Sequence, residues 1–192
     1  MTIFSCFDVE TTSLDARKGQ VIEIAIVKIT HDGELLEEWT TLVGPAPVDI
    51  GRTDIHRIER SWLDTAPLFH QIAGDISERF DGSIPVAHNA LFDCSFICEE
   101  WKRAGLGVLH IDPFDTVPLA KQLDYPGKLT ELSDALDVQL TNAHEALADT
   151  HALAAVLIKL LELSKKQVDL PVFQPSLSTP KASGMFKHRP PS

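Results

Sequence analysis

The first third of the chain alternates or runs apolar over short stretches, and the rest falls into helical stripes. Residues 3–9 (Ile-Phe-Ser-Cys-Phe-Asp-Val) are mostly apolar on both faces and predict a buried strand. Residues 20–30 are β-branched and partly alternating, which predicts a second strand. His31-Asp32-Gly33 is a turn signal, so Glu34 to Val43 read as a third strand folded back as a hairpin. Gly44 to Asp64 is broken by Pro and Gly and reads as loop with room for a short helix. From Thr65 to Phe80 the apolar residues Leu68, Ile72, Ile76 and Phe80 recur every fourth position and predict a helix.

Ile84 to His88 is a short apolar strand. Asn89 is placed to cap a helix running to about Ala104, where Gly105 stops it. Asp115 to Leu123 and Lys128 to Leu136 are helical in pattern. A last helix opens at Asn142, with Glu145 as its capping-box partner, and runs to about Ser164. Strands that pair as an antiparallel meander, followed by a strand set among helices, predict a mixed α/β sheet.

The length of 192 residues suits one domain with something appended. The ordered body is expected to end near Lys166. Residues 167–192 contain Pro171, Pro175, Pro180, Pro190 and Pro191 with little periodicity, which predicts a flexible tail. No apolar run is long enough to span a bilayer, and the N-terminus has no basic segment before an apolar one. Cys6, Cys94 and Cys98 make no disulfide framework and lack CxxC spacing, so reduced thiols and a cytoplasmic protein are expected. Trp39, Trp62 and Trp101 read as packing residues.

The formal net charge is −11, which on its face argues against a polyanionic partner. The placement of the acids matters more. Asp8 and Glu10 are two apart at the end of the first strand, so both leave the same face. Carboxylates emerging from a buried strand call for a cation, a divalent metal being the simplest. A strand end reaching solvent would carry them equally well. Asp93 falls in the first turn of a helix, where the dipole alone stabilises an acid. Asp149 lies in the last helix, where an exposed polar face would explain it. His144, five residues earlier, points about 140° away on a regular helix, though in a loose first turn it could face the same cleft. His144-Glu145 without a histidine at 148 is not the HExxH zinc pattern.

Three segments taken together narrow these alternatives. Phe7-Asp8-Val9-Glu10-Thr11-Thr12, His88-Asn89-Ala90-Leu91-Phe92-Asp93 and His144-Glu145-Ala146-Leu147-Ala148-Asp149 occur in that order. They resemble the three motifs of the DnaQ-like (DEDDh) 3′–5′ exonucleases, a family that includes the proofreading (epsilon) subunit of bacterial DNA polymerase III. Ile55-His56-Arg57-Ile58 is similar to that family's histidine-containing loop. The resemblance spans roughly residues 3–163. It implies an RNase H-like mixed five-stranded sheet flanked by helices, with an exonuclease domain over residues 1–166.

The resemblance also implies roles. Asp8, Glu10, Asp93 and Asp149 would hold two divalent metal ions, Mg²⁺ or Mn²⁺, and His144 would be the general base. Thr11, Thr12 and Leu14 would contact the terminal nucleotide, while His56 and Phe92 would line the strand's path; His88 and Asn89 would shape a turn. The substrate would be single-stranded 3′ ends, DNA favoured over RNA, with nucleoside 5′-monophosphates released in proofreading or repair. An RNA 3′-end-trimming exoribonuclease of the same family is the alternative. A polymerase-associated subunit or adaptor with secondary nuclease activity is the alternative of another class; the tail motivates it, since Gln174 to Ser178 is faintly similar to a sliding-clamp-binding peptide. Two departures from the family pattern are Ser13 and Arg57, both at positions where glycine is common. The implied metals change the meaning of the acidity, because two divalent ions would bring their own positive charge to the pocket. Binding would then be local, at a strand's end near Arg57.

Overall fold

The computed structural model describes residues 1–45, 49–165, 168, 170–176 and 178–190. Its centre is a five-stranded sheet in the order β3-β2-β1-β4-β5. The strands are β1 (Ile3–Thr11), β2 (Val21–Thr30), β3 (Leu35–Leu42), β4 (Ile84–Ala87) and β5 (Phe114–Asp115). The first three form the antiparallel meander that the alternation predicts. β4 joins β1 in parallel, with Phe4 opposite Ile84 and Cys6 opposite Val86. β5 was not anticipated: two residues, paired in parallel with Val86 and Ala87, are too few to show a period.

Short helices α1 (Thr53–His56) and α2 (Arg60–Leu63) follow the meander. Then come α3 (Phe69–Phe80), α4 (Ala90–Arg103), α5 (Thr116–Gln122), α6 (Leu129–Ala135) and α7 (Ala146–Ser164). α3 starts four residues later than its apolar spacing suggests. Pro67 disfavours helix in the residue before it, and Leu68 bridges to Gly44 while its N–H is taken by the Gln71 side chain at 2.8 Å.

The sheet separates two apolar layers. Phe7 and Val9 of β1 pack with Ile72 and Ile76 of α3 and Phe96 and Ile97 of α4. Phe4 and Cys6 pack on the opposite face with Leu153 and Leu157 of α7. A further face of α7, with Val156 and Leu160, packs on α5 and α6. Cys6, Cys94 and Cys98 are free thiols. No helix among the described residues is long and apolar enough to cross a membrane.

The described residues of the segment expected to be a tail make specific contacts with this body. Phe173 is 7% exposed and meets Phe80 edge-on at 5.7 Å. Its N–H donates to the Ser83 carbonyl, and its carbonyl accepts from Gly82. Asp75 accepts from the Ser183 N–H, the Ser183 hydroxyl and the Gly184 N–H, all at 2.7–2.8 Å. Lys187 pairs with the edge of β3, its carbonyl accepting from Leu42 and its N–H donating to the Thr41 hydroxyl. Glycine inside a helix costs about 1 kcal/mol relative to alanine. Gly74 sits inside α3 because a Cβ there would lie 2.2 Å from the Lys181 carbonyl oxygen. In the clamp-like peptide, Leu177 lies outside the described residues, and the Ser176 hydroxyl bonds with those of Ser178 and Thr179.

Candidate active site

Alternation along β1 decides where its acids go. Phe4 and Cys6 face α7, so Asp8 and Glu10 continue that series at the strand's end. β1 is the middle strand, and its register with β2 slips by one residue between Glu10 and Thr11, an irregularity at the strand's end. Directly opposite Glu10, on β2 and facing the same way, is Glu23. Glu23 is 3% exposed. Like charges across a ladder repel.

Asp93 arrives from the first turn of α4. Its Oδ1 accepts the N–H of Val9 at 3.1 Å, which ties the helix start to the strand's end. Asn89 contributes differently from a side-chain cap. It takes the left-handed conformation (φ 66°) and makes no capping bond. Asp115 does that work, accepting from the N–H groups of Asn89 and Ala90 and also from Val117 at the start of α5. His88 bonds to the Thr116 hydroxyl and the Gly127 carbonyl.

Asp149 is buried in the first turn of α7. The helix opens at Ala146 and not at Asn142. Asn142 (φ 59°) and His144 (φ 70°) are both left-handed, so they stand outside it. The cap comes from the sheet: Glu23 Oε2 accepts the Ala146 N–H at 3.1 Å. Because His144 is off the helix, the five-residue spacing no longer separates it from Asp149. One donor atom from each of Glu10, His144 and Asp149 lies within 4.8 Å of the others.

The electrostatics record the same convergence. Burial pushes the Asp8 carboxyl well above the usual range, and the charges of Asp93, Glu10, Asp149 and Glu23 push it further. Glu10 is pushed up to about 8 by burial and then by Glu23 and Asp149, with Arg189 opposing. Burial raises Asp93 to about 7, against the hydrogen bond from Val9. Burial also raises Asp149, opposed by the His144 N–H bond and by the charges of His144 and Arg189. Crowded carboxylates short of countercharge, with an imidazole beside them, are a donor set that fits a hard divalent cation.

A cavity of about 180 Å³ adjoins these acids. Glu10, Thr11, Leu14, His56 and Phe92 line it together with Arg52. Leu14 is 90% exposed and, with Phe92, also borders a wider cavity of about 620 Å³. Thr12 is not among the lining residues of either; its hydroxyl accepts the Gln20 N–H and closes the turn after β1. The buried His56 ring is held at both ends. Nδ1 accepts from Ile58, which leaves Nε2–H to donate to the Ile50 carbonyl, and burial lowers its pKa.

Sequence reasoning missed Glu23, Asp115 and Arg189. An acid inside the apolar run Val21-Ile22-Glu23-Ile24 was a signal for the first, and an aspartate just before a helix was one for the second. Nothing local marks Arg189. Its guanidinium grips Glu23 with two bonds at 2.7 and 2.6 Å and also donates to the carbonyls of His56 and His144.

Comparison with known proteins identifies the family of the chain. The exonuclease (RNase T) family model matches residues 5–157. The PolC-type DNA polymerase III of Caldanaerobacter subterraneus subsp. tengcongensis is 35% identical over 165 residues, which is 83% of this chain and 12% of that protein. The Bacillus cereus PolC-type enzyme is 34% identical over 161 residues, 81% of this chain and 11% of that protein. The chain thus spans only about an eighth of these relatives. A structure of exonuclease X in complex with 5′ overhanging duplex DNA superposes with a TM-score of 0.66 at 27% identity, covering 87% of this chain and 95% of that one. E. coli exonuclease I with a dT13 oligonucleotide has the same fold (TM-score 0.72, 17% identity, 84% of this chain and 41% of that one). A mixed five-stranded sheet in this strand order is the DnaQ/RNase H-like exonuclease fold. The chain belongs to the RNase T/DEDD exonuclease family, phosphodiester hydrolases related to the exonuclease portion of the PolC-type polymerases.

Proposed function

We propose that this chain hydrolyses the terminal phosphodiester bond at the 3′ end of DNA and releases nucleoside 5′-monophosphates. The observation that carries the reading is the meeting of Asp8, Glu10, Asp93, Asp149 and His144, from three distant segments, at the end of the central strand. Asp8, Glu10, Asp93 and Asp149 would hold two Mg²⁺ or Mn²⁺ ions. Such ions supply a lowered pKa for attacking water and charge neutralisation at the leaving 3′ oxygen. His144, exposed at the rim, accepts the proton of the attacking water. The Asp149 carboxylate holds the His144 backbone in place for this.

The cavity beside Glu10 receives the terminal nucleotide, with Thr11, Leu14, His56 and Phe92 around it. The neutral, doubly bonded His56 ring gives one wall a fixed shape. The relation to polymerase chains and to an exonuclease solved on DNA supports DNA as substrate, and proofreading or repair as its use. Matched 5′-labelled DNA and RNA oligonucleotides, single- and double-stranded, test this with Mn²⁺ and with EDTA. A ladder shortening from the 3′ end of DNA, abolished by EDTA, is expected. Full activity in chelator would overturn the metal reading, and faster loss of RNA would make the enzyme an exoribonuclease.

A further inference from the structure

The C-terminal segment brings one cation to the rim of the acidic site, and this cation has more to hold than its ion pair. Arg189 Nε and Nη2 bind the two Glu23 oxygens, Nη1 donates to the His56 carbonyl at 2.7 Å, and Nη2 donates also to the His144 carbonyl at 3.3 Å. His56 ends α1, and His144 stands on the loop before α7. Glu23 in turn caps α7 through Ala146, three residues before Asp149. A planar fork with several fixed donors can make this set of bonds, whereas an ammonium cannot.

We infer that Arg189 is a positioning residue for the hydrolysis proposed above: it ties the His144 loop, the end of α1 and the start of α7 into one frame. The inference rests on that proposal for its catalytic part only. The segment that presents Arg189 is anchored at three points before it reaches the site, by Phe173 in its socket, by Asp75, and by the edge of β3. Gly74 lets the segment approach α3, since any side chain there would strike the Lys181 carbonyl.

That contact supplies a test remote from the chemistry. Arg189→Ala removes the fork, Arg189→Lys keeps the charge without it, and Gly74→Ala displaces the segment while leaving every residue of the site unchanged. Turnover on a 5′-labelled single-stranded DNA is expected to fall about 10²-fold in Arg189→Ala. KM should stay within about twofold, and Arg189→Lys should recover little of the lost kcat. Gly74→Ala should move kcat the same way, and free guanidinium should partly restore Arg189→Ala but not His144→Ala. Hydrogen–deuterium exchange provides a readout independent of activity. Residues 52–58 and 142–149 should exchange faster in Arg189→Ala and Gly74→Ala. Wild-type kcat and wild-type exchange in Arg189→Ala would overturn the inference, as would full recovery of kcat by lysine. If the wild-type protein cleaves no nucleic acid, the proposed function fails, and exchange alone decides whether Arg189 ties these segments.

Discussion

The backbone N–H of His144 donates to Asp149 Oδ2 at 2.9 Å. The acid thereby sets the position of the histidine through the main chain, and the imidazole is left free to act. Removing the ring therefore leaves the frame intact. His144→Ala is expected to lose roughly 10²–10⁴ in kcat with KM little changed. Because φ at 144 is 70°, His144→Asn should melt higher than His144→Ala, since asparagine tolerates that backbone better. Both should be equally inactive. Steady-state kinetics and thermal melts on the two variants check this; a pH–rate profile like that of the wild type would assign the proton transfer elsewhere.

Asp8 is the acid most crowded by its neighbours, facing Asp93, Glu10, Asp149 and Glu23. Asp8→Asn should abolish activity without unfolding the protein, because the amide keeps the shape and removes a charge that the metal-free site cannot match. In EDTA at pH 8 the variant should melt above the wild type. In saturating Mn²⁺ the order should reverse, since only the wild type gains from binding. Near-normal turnover in Asp8→Asn would remove this residue from the ligand set.

The raised carboxylates also fix how stability depends on pH in the absence of metal. Burial and Glu23 raise Glu10 to about 8, and burial raises Asp93 to about 7. An acid whose pKa is raised on folding binds its proton more tightly in the native state, so ionising it favours unfolding. These two groups therefore contribute a loss of stability as pH climbs from the ordinary carboxylate range through 7 and 8. Denaturant melts in EDTA at pH 5.5 and 8 should show that loss, and Glu10→Gln should reduce it. The Tm gain on adding Mn²⁺ should be larger at pH 8, where protons compete less for these carboxylates.

The elements with clear periods were legible in the sequence, and the joints between them were not. The meander and α3 follow from alternation and from a fourfold apolar spacing, both local signals. β5 owes its existence to Val86 and Ala87 across the ladder. The start of α7 is decided by Glu23, which lies 123 residues away. The same holds at the site. Asp8, Glu10, Asp93, Asp149 and His144 stand in motifs, whereas Arg189 reaches Glu23 from a segment whose composition carries no periodic mark. What holds the described residues between 170 and 190 is a socket, a clamp on Asp75 and a close approach at Gly74, none of which has a pattern along the chain.

Arg57 combines a left-handed backbone with a cation directly after His56, which lines the cavity. It is exposed and left-handed at φ 56°, and its N–H closes α1 on the Thr53 carbonyl. Most side chains pay roughly 1–2 kcal/mol for that conformation and glycine does not, so Arg57→Gly should leave stability unchanged or raise it by up to about 1 kcal/mol. The cost of the substitution should appear in binding. With a net charge of −11, the protein has little sequence-independent attraction for a polyanion, and contacts with phosphate should be few. Log(kcat/KM) on single-stranded DNA should fall gently with log[salt], at a slope of about −1 to −2 for one to three phosphates. Arg57→Gly should raise KM and flatten that slope by about 0.7, with kcat retained. A steep slope in the wild type, or one that Arg57→Gly leaves untouched, would place the phosphate contacts away from this loop.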